Sequence, residues 1–501
     1  MRVTINKKDY YADYLGKFLF ALSFAILGLL IFLIIQKPFL HIDEWFTRGL
    51  LNISLLDMIH VTAADVHPPF YYITVWVPVT ILNLLHIPYD LMFVMKMMSV
   101  VPYIILYIIS FTKIRKDHGW LAGGLFAFAL LTMCNFFTTF SIARMYPLGL
   151  LLLVCGFISV GDILKDSKLK NWIILTLCAV LAAYTQYFLI ISFVILYGLL
   201  LLHIYVNNKS QLKYWVSSVI YGILCFIPWV FILFNQLAAV KGGNYWVEDI
   251  TFGNVLEFLS SIFTTSSEGL IQIIAIVIFL GLFILVLREY KDNPMENEFI
   301  LFGLLVFVGT IFIGVVASIV YRPILVARYL VPSIGVAWLS LSIFIPRYLS
   351  KHNLMKMTIP VVIVLLLFGA VNLYGQIDEM SKNHEVLINN QEFLDTINNN
   401  DSVVIITNKV KYVHFYDVLD NAIVYQGYSV NQREVAKDFA RIYDDKNETF
   451  LIPDDFNRYH NKTFYLVTPN SKAITDLPKG YSLKPIWKID NSEFLKINHP
   501  N

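Results

Sequence analysis

Two acidic residues stand next to each other just past the first hydrophobic run of the chain. They are Asp43 and Glu44 in HIDEW, and Asp65 and His67 follow about twenty residues later in DVHPPFYY. A carboxylate at such a place can act as a general base toward an acceptor hydroxyl or amide, and the four side chains would converge if the loop folded back. The structural alternatives are an N-cap at Asp43 with Glu44 in the first helical turn, and an ordinary loop position for His67.

Cations, amides and tyrosines stand at the ends of several other hydrophobic runs. They are Arg144 and Tyr146 in SIARMYPLG, Gln186 in AAYTQYF, Lys241 in AAVKGGNYW, and Arg322, Arg328 and Tyr329 in YRPILVARYLVPS. An anionic substrate with a leaving phosphate needs cations of this kind. The alternatives are a snorkelling Arg144 beside an interfacial tyrosine, a plain turn at Gln186 and a structureless connector at Lys241.

Two cations fall inside hydrophobic runs. Arg328 stands a short way into a late run, where a guanidinium costs free energy unless it is paired or faces a wet cavity. Lys96 stands near the start of the second predicted span, and there we expect the side chain to snorkel to the membrane interface.

The elements that position these residues follow from the composition. The chain has 501 residues, of which 57% are hydrophobic and only 15% are charged, whereas soluble domains carry about 25% charged residues. This composition predicts a polytopic membrane protein. The net charge of +2 is too small to indicate a nucleic-acid-binding surface. The four cysteines lie in apolar runs without paired spacing, so we read them as core residues.

Eleven hydrophobic runs are long enough to span a membrane, which needs about 20 apolar residues. They are 17–36, 91–112, 119–139, 146–164, 171–187, 188–206, 214–236, 268–288, 299–320, 326–345 and 356–375. A further run, 68–86, contains three prolines and is interpreted as a juxtamembrane or re-entrant helix.

The basic loops set the expected orientation. Lysine and arginine favour the cytoplasmic side of short loops, and the five basic loops share one side because each lies two spans from the next. The basic N-terminal segment shares that side only if residues 37–90 form a single outer loop. We therefore predict a multi-pass protein of the cell (plasma) membrane with a cytoplasmic N-terminus. Nearly all the unusual polar residues then lie on the outer face.

The composition changes after residue 375. Residues 376–501 are polar, contain no spanning run, and alternate strand-like and helix-like stretches. The stretches are VVIIT (403–407), KYVHFYDVL (411–419), NAIVYQG (421–427), REVAKDFARIYDD (433–445), KTFYLVT (462–468) and FLKIN (494–498). The fold class is thus a mainly α transmembrane bundle, 1–375, followed by a small extracytoplasmic α/β domain, 376–501.

Several of these motifs resemble the GT-C superfamily of polytopic glycosyltransferases. They are the DE pair after the first span, the D-x-HPP-x-YY run, the Arg-x-Tyr at a helix start, the Y-T-x-Y-F break and the ARY-x-x-P entry into a late span. The likeness is nearest to the protein O-mannosyltransferase and lipid A aminoarabinose transferase-like set, and covers residues 1 to about 375. The DE pair and the HPPFYY stretch are its most specific parts.

The resemblance implies transfer of a sugar from a polyprenyl-phosphate donor to a protein, lipid or glycan acceptor. It implies that Asp43 is the catalytic base and that Glu44 orients a cation or the acceptor. The implied phosphate ligands are Arg144, Arg322 and Arg328, and the implied substrate-binding residues are Asp65, His67, Tyr71, Tyr146, Gln186, Lys241 and Tyr329. Relatives often carry a histidine where this chain has Gln186. Displacement assisted by one base predicts inversion at the anomeric carbon.

Other readings of the sequence stay open. We expect no obligate metal, although a set formed by His41, Asp43, Glu44, Asp65 and His67 leaves a divalent cation open. A transporter or flippase would place its charges near the midplane and often shows repeats, whereas here the charges crowd one face. A membrane scaffold, whose soluble domain would bind partners or cell-wall polymer, would leave the acidic and histidine residues of the loop 37–90 without a function. We expect the lipid bilayer, a lipid-linked donor and an acceptor as partners, and no nucleic acid.

Overall fold

A computed structural model describes residues 9–39, 41–133, 139–242, 247–397, 403–407, 423–425, 463–468, 481–489 and 492–498. Two compact units divide the chain, one comprising residues 1–36 and 62–379 and the other residues 37–61 and 380–501. We call them the helical unit and the second unit, and describe each by itself. The segment 37–61, which includes Asp43 and Glu44, belongs to the second unit.

Long helices build the helical unit. The first part contains α1 (Asp9–Gln36), α4 (Phe70–Leu84), α5 (Leu91–Ile109), α6 (Arg115–His118), α7 (Trp120–Thr132), α8 (Tyr146–Lys165), α9 (Leu169–Ala183) and α10 (Tyr187–Asn207). The second part contains α11 (Leu212–Gly242), α12 (Phe252–Ser260), α13 (Gly269–Asp292), α14 (Pro294–Val320) and α15 (Val331–Lys351). Helix α16 (Thr358–Ile397) begins in the helical unit and continues into the second unit, so it does not end at residue 375.

The chain is a multi-pass membrane protein. Within the described residues, nine helices are long and apolar enough to cross a membrane, and they coincide with nine of the eleven predicted spans. The other two predicted spans, 119–139 and 171–187, correspond to the shorter helices Trp120–Thr132 and Leu169–Ala183. A helix of 15 residues rises only about 22 Å, less than the roughly 30 Å of a hydrocarbon core. The run 68–86 also forms a short helix, α4, and its juxtamembrane or re-entrant position stays a prediction.

The core of the helical unit lies where α7, α8 and α15 pack together. Nearly every residue of α7 is buried, and the indole of Trp338 on α15 donates a hydrogen bond to the carbonyl of Ile262. Helix α1 packs on α7 at unusually close range, because Gly16 and Gly124 bring the two backbones together. A Cβ atom built on Gly124 would lie 2.4 Å from the carbonyl oxygen of Gly16.

A π-helical segment, Ser110–Ile114, joins α5 to α6 without a break in the helix. Lys113 within this segment forms salt bridges with Asp117 at 3.0 Å and with Asp162 on α8 at 2.8 Å. Lys165, at the end of α8, lies 3.7 Å from Asp117. These ion pairs join the ends of α6 and α8.

The second unit contains α2 (Ile42–Leu50), the greater part of α3 (Leu55–Ala64), the end of α16 and a five-stranded sheet. Its strands are β1 (Val403–Thr407), β2 (Ile423–Tyr425), β3 (Thr463–Thr468), β4 (Ser482–Ile489) and β5 (Ser492–Asn498). The strand order is β2-β1-β3-β5-β4. Strand β1 pairs in parallel with β2 and β3, and β5 pairs antiparallel with β3 and β4.

The alternation of apolar residues explains the register of this sheet. Phe464 lies opposite Ile497, and Leu495 stands two positions from Ile497 on β5, so these buried apolar side chains share one face. Three of the predicted stretches contain β1, β2 and β3, and a fourth, FLKIN (494–498), lies within β5. The predicted stretches 411–419 and 433–445 lie outside the described residues. Strand β4 was not predicted, because Pro485 interrupts its pattern; the register shifts between Pro485 and Trp487.

Candidate functional site

One face of α5 holds residues 141 and 142, in the segment that precedes α8. The ammonium of Lys96 donates to the carbonyl of Ser141 at 2.6 Å, and the hydroxyl of Ser99 donates to the carbonyl of Ile142 at 2.9 Å. Two positions three residues apart lie on the same face of a helix, so both reach the same segment. Lys96 is only 2% exposed, and the expectation that it snorkels to the interface was therefore wrong. Its charge instead holds the backbone next to Arg144.

The HPP sequence places His67 just outside helix α4. The residue before a proline is disfavoured in the helical region, so His67 and Pro68 cannot extend α4 toward the N-terminus. Pro69 is the N-cap, and α4 begins at Phe70. The amide of Phe70 donates to the carbonyl of Tyr184 at 2.9 Å, which ties this turn to the break between α9 and α10.

Arg144 connects the two segments. Its Nη2 lies 3.3 Å from Nε2 of His67, and its Nη1 donates to the hydroxyl of Tyr72 at 3.1 Å. Arginine only donates, so Nε2 of His67 accepts and its Nδ1 carries the proton. That Nδ1 lies 2.8 Å from Oδ2 of Asp65 and donates to it. Asp65, His67, Arg144 and Tyr72 thus form a continuous hydrogen-bonded chain, which we call the arginine relay.

The electrostatics of the relay keep Asp65 ionised. Burial by itself raises the pKa of this carboxyl, but the hydrogen bond that His67 donates, the backbone amide of Val66 and the charge of Arg144 act the other way and hold the pKa below its usual range. Arg144 is only 3% exposed, so it is not a snorkelling interfacial residue. A buried guanidinium held in this way is a fixed positive charge.

A cavity of about 120 Å³ adjoins the relay. This is several times the space that one water molecule needs. Its walls are mostly apolar, and its polar lining side chains are His67, Gln186, Tyr187, Gln236 and Tyr329. Apolar walls with a few convergent polar groups are typical of a small-molecule site. We call it the relay cavity.

Gln236 organises one wall of the relay cavity. Its amide nitrogen donates to the carbonyls of Thr62 at 2.8 Å and Ala63 at 3.2 Å, just before Asp65. Its amide oxygen accepts from the hydroxyl of Tyr187, which in turn accepts from the indole of Trp229 at 2.8 Å. The sequence reasoning missed Gln236, Tyr187 and Tyr72. A glutamine at the end of an apolar run was the available signal for the first.

Tyr329, which lines the relay cavity, lies close to Tyr146. Their ring centroids are 6.1 Å apart, and Tyr329 also contacts Phe188 at 5.1 Å. Arg328 lies in the short 3₁₀ turn Ala327–Leu330, with its guanidinium carbon 6.0 Å from the ring of Tyr329. Tyr71 is buried one residue before Tyr72, with its ring 5.5 Å from that of Tyr72.

Arg322 and Lys241 line a neighbouring cavity at the end of α11. Arg322 donates to the carbonyls of Val240 and Lys241, and Lys241 lies 5.5 Å above the ring of Tyr321. A cation at a helix C-terminus is favoured by the partial negative charge there. Lys241 is therefore exposed but not structureless. Val240 also lines the relay cavity, so the two cavities share the end of α11.

In the second unit, the HIDEW residues begin helix α2. His41 is the N-cap, not Asp43: its ring accepts from the amide of Asp43, and the carboxylate of Glu44 accepts from the backbone amide of His41 at 2.7 Å. This is a capping box, which explains why Glu44 is buried. Asp43 keeps about a quarter of its side chain exposed. The convergence of Asp43 and Glu44 with Asp65 and His67 stays a prediction.

Within the part of the chain that the structure describes, no group of three or more histidine, cysteine, aspartate or glutamate side chains is placed to hold a metal ion. Asp65 and His67 are engaged with each other and with Arg144.

Comparison with solved structures identifies the architecture. The crystal structure of ArnT from Cupriavidus metallidurans bound to undecaprenyl phosphate matches 96% of this chain and 97% of its own, with a TM-score of 0.57 and 10% identity. The chain has the ArnT fold. The apo crystal structure of the same protein matches 86% of this chain and 87% of its own, with a TM-score of 0.53 and 11% identity.

The resemblance seen in the motifs is thus confirmed at the level of the fold. No family model and no curated protein sequence matches the chain. Because the ArnT fold by itself fixes no reaction, the function has to be argued from the site.

Proposed function

We propose that this protein is an integral-membrane glycosyltransferase that moves a sugar from a polyprenyl-phosphate donor to a protein, lipid or glycan acceptor. The observation that carries the proposal is the buried guanidinium of Arg144, held by His67 and Tyr72 beside a cavity of small-molecule character. The likeness to ArnT, a protein whose structure holds undecaprenyl phosphate, supports the same class of donor.

The leaving group explains why a fixed cation is useful. When the bond between the anomeric carbon and the phosphate oxygen breaks, the polyprenyl phosphate gains negative charge. A cation that is already in place lowers that barrier without reorganisation. Arg144 is fixed by two partners, and Arg322 and Arg328 stand at the neighbouring helix ends as further candidate phosphate ligands. The apolar walls between the helices suit an isoprenoid chain.

Asp43 is the proposed general base. Its carboxylate stands at the start of α2 with about a quarter of the side chain exposed, and we propose that it takes the proton from an acceptor hydroxyl or amide. Glu44 is held in the capping box, so we propose that it fixes the direction of α2 and thereby orients Asp43. One base acting opposite the leaving phosphate gives inversion at the anomeric carbon.

The proposed topology puts this chemistry outside the cytoplasm. The basic loops favour a cytoplasmic N-terminus, with 37–90 and the sheet-containing domain extracytoplasmic. A lipid-linked donor is suited to a compartment without nucleotide sugars. We propose that no metal is obligatory, and transfer in the presence of a chelator tests this point.

The test is transfer of radiolabelled sugar in membranes that contain the full-length chain. We expect transfer by the wild type and at least a hundredfold loss in Asp43→Asn, because the amide cannot accept the proton. Asp57→Asn is the matched control, since Asp57 is an exposed carboxylate in the same segment. Undiminished transfer by Asp43→Asn would refute the role of Asp43 as general base. Failure of the wild type and every variant to transfer sugar from any donor would refute the proposal that the protein is a glycosyltransferase.

A further inference from the structure

Gln186 is a buried amide whose polar atoms have no partner among the described residues. Its side chain is 4% exposed, yet neither its amide oxygen nor its amide nitrogen makes a hydrogen bond within the part of the chain that the structure describes. A buried amide left in this state costs free energy, so native chains rarely keep one without a use.

The helix break does not explain this amide. Gln186 is the N-cap of α10, but its side chain caps nothing, whereas serine, threonine, aspartate or asparagine would do so. Its backbone is already satisfied, because its amide donates to Ala182 at 3.0 Å and its carbonyl accepts from Leu189 at 3.1 Å. The turn therefore needs the backbone of Gln186 and not its carboxamide.

A second glutamine in the same cavity shows the contrast. Gln236 also lines the relay cavity and is also buried, but it uses its oxygen toward Tyr187 and its nitrogen toward Thr62 and Ala63. Gln236 is a structural amide. Gln186 lines the same cavity with its hydrogen-bonding capacity unused by the described chain.

The charge of the cavity limits what Gln186 can bind. Among the described residues that line the relay cavity there is no carboxylate, and the polar lining groups are amides, phenols and an imidazole. Both nitrogens of that imidazole are occupied, by Asp65 and by the guanidinium of Arg144. The carboxylate of Asp65 is already bound by His67 and balanced by the fixed cation of Arg144, so an ammonium group buried here would lack a counter-ion of its own. A carboxamide offers one acceptor and two donors, which match neighbouring hydroxyl groups.

We propose that Gln186 is the specificity-determining residue of the relay cavity, where its carboxamide binds hydroxyl groups of a neutral donor sugar and the site excludes amino sugars. The inference rests on the proposed function and adds the class of sugar to it. The apolar wall formed by Val66, Leu233 and Leu237 would face the hydrogen-rich side of the ring.

The experiment measures transfer from four labelled donors by membranes with the full-length chain. The donors are undecaprenyl-phosphate-linked mannose, glucose, galactose and 4-amino-4-deoxyarabinose. We expect kcat/KM for at least one neutral donor to exceed that for the amino sugar at least tenfold. Gln186→Met should lower kcat/KM for the neutral donor at least tenfold, because the hydroxyls lose their partners. Gln186→Glu should shift the preference toward the amino sugar at least tenfold.

Two results would overturn the inference while leaving the proposed function intact. They are transfer of the amino sugar by the wild type as fast as any neutral sugar, and retention of neutral transfer within twofold by Gln186→Met. Transfer of none of the four donors by the wild type would instead refute the proposed function, and this inference with it.

Comparison of the two glutamines provides the control for folding. Gln186→Met should unfold no more easily than the wild type, because it removes an amide without partners in the described chain. Gln236→Met should unfold more easily, because it leaves the phenol of Tyr187 and two carbonyls without their partner. If Gln186→Met unfolds as easily as Gln236→Met, the amide is structural and the inference fails.

Discussion

Replacement of Arg144 tests the arginine relay most directly. Arg144→Met removes the hydrogen bonds to His67 and Tyr72, and Arg144→Lys keeps the charge but offers one nitrogen in place of the fork that spans both partners. A hydrogen bond to a charged group contributes about 1.5–3 kcal/mol to stability. We expect Arg144→Lys to lose about that much, and Arg144→Met to lose about 3–5 kcal/mol, because it also leaves the partly buried Asp65–His67 pair without its cation.

The assay is unfolding of the purified full-length protein in mild detergent with a denaturant series. Arg288 on α13 supplies the matched control, since it is exposed. Arg288→Met should change the free energy of unfolding by no more than about 0.5 kcal/mol. The expected order of stability is wild type, then Arg144→Lys, then Arg144→Met.

One result would refute this reasoning. If Arg144→Met unfolds as easily as Arg288→Met, the distances of 3.1 and 3.3 Å do not represent stabilising hydrogen bonds. Arg144 would then be no fixed cation, and the argument from a preorganised charge to phosphate binding would lose its basis.

Two further predictions concern packing and pH. Gly124→Ala should lower the free energy of unfolding by about 1–3 kcal/mol, because the new Cβ would lie 2.4 Å from the carbonyl oxygen of Gly16. Gly28→Ala is the control, since no atom lies within 4 Å of a Cβ built there. Equal losses of stability in the two variants would contradict the close approach of α1 and α7. Asp65 has a lowered folded-state pKa, so its stabilisation is present above the ordinary aspartate pKa and is lost as pH falls through the folded value. The stability advantage of wild type over Asp65→Asn should therefore be constant near neutrality and shrink below about pH 4; an advantage that grows on acidification would contradict it.

Much of the fold could be predicted, because the membrane imposes long apolar runs. Nine predicted spans are helices of spanning length, and the polar residues of AAYTQYF marked the break between Ala183 and Tyr187. The lengths of α7 and α9 could not be read in the same way. The sequence stays apolar through Met133 and Tyr184, just past the last described helical residues of α7 and α9, whereas a helix ends where its backbone hydrogen bonds end.

The sheet was predicted where apolar alternation is clean and missed where it is not. VVIIT and KTFYLVT contain β1 and β3, since β-branched and aromatic residues favour strands. SLKPIWKI carries a proline and two lysines, so it does not look like a strand. In the structure the register shift next to Pro485 accommodates the proline.

Site partners were harder to predict than site residues. Arg144 and His67 were both candidates, but 77 positions separate them, and no local pattern indicates that Nη2 meets Nε2. Lys96 was assigned to the interface because a lone lysine usually reaches water. A backbone carbonyl 45 positions away is its partner instead, and only the packing of α5 against the segment before α8 reveals it.

The π-helical segment Ser110–Ile114 affects how this chain aligns with distant relatives. A single residue turns an α-helix by about 100°, so the widened turn allows Leu106 to face the core while Lys113 and Asp117 still face α8. A related chain with an ordinary helix here would align only with a gap of one residue. An alignment without that gap would shift every position of α6 by about a quarter turn. The paired charges of Lys113 and Asp117 would then be aligned with the wrong residues of a distant relative.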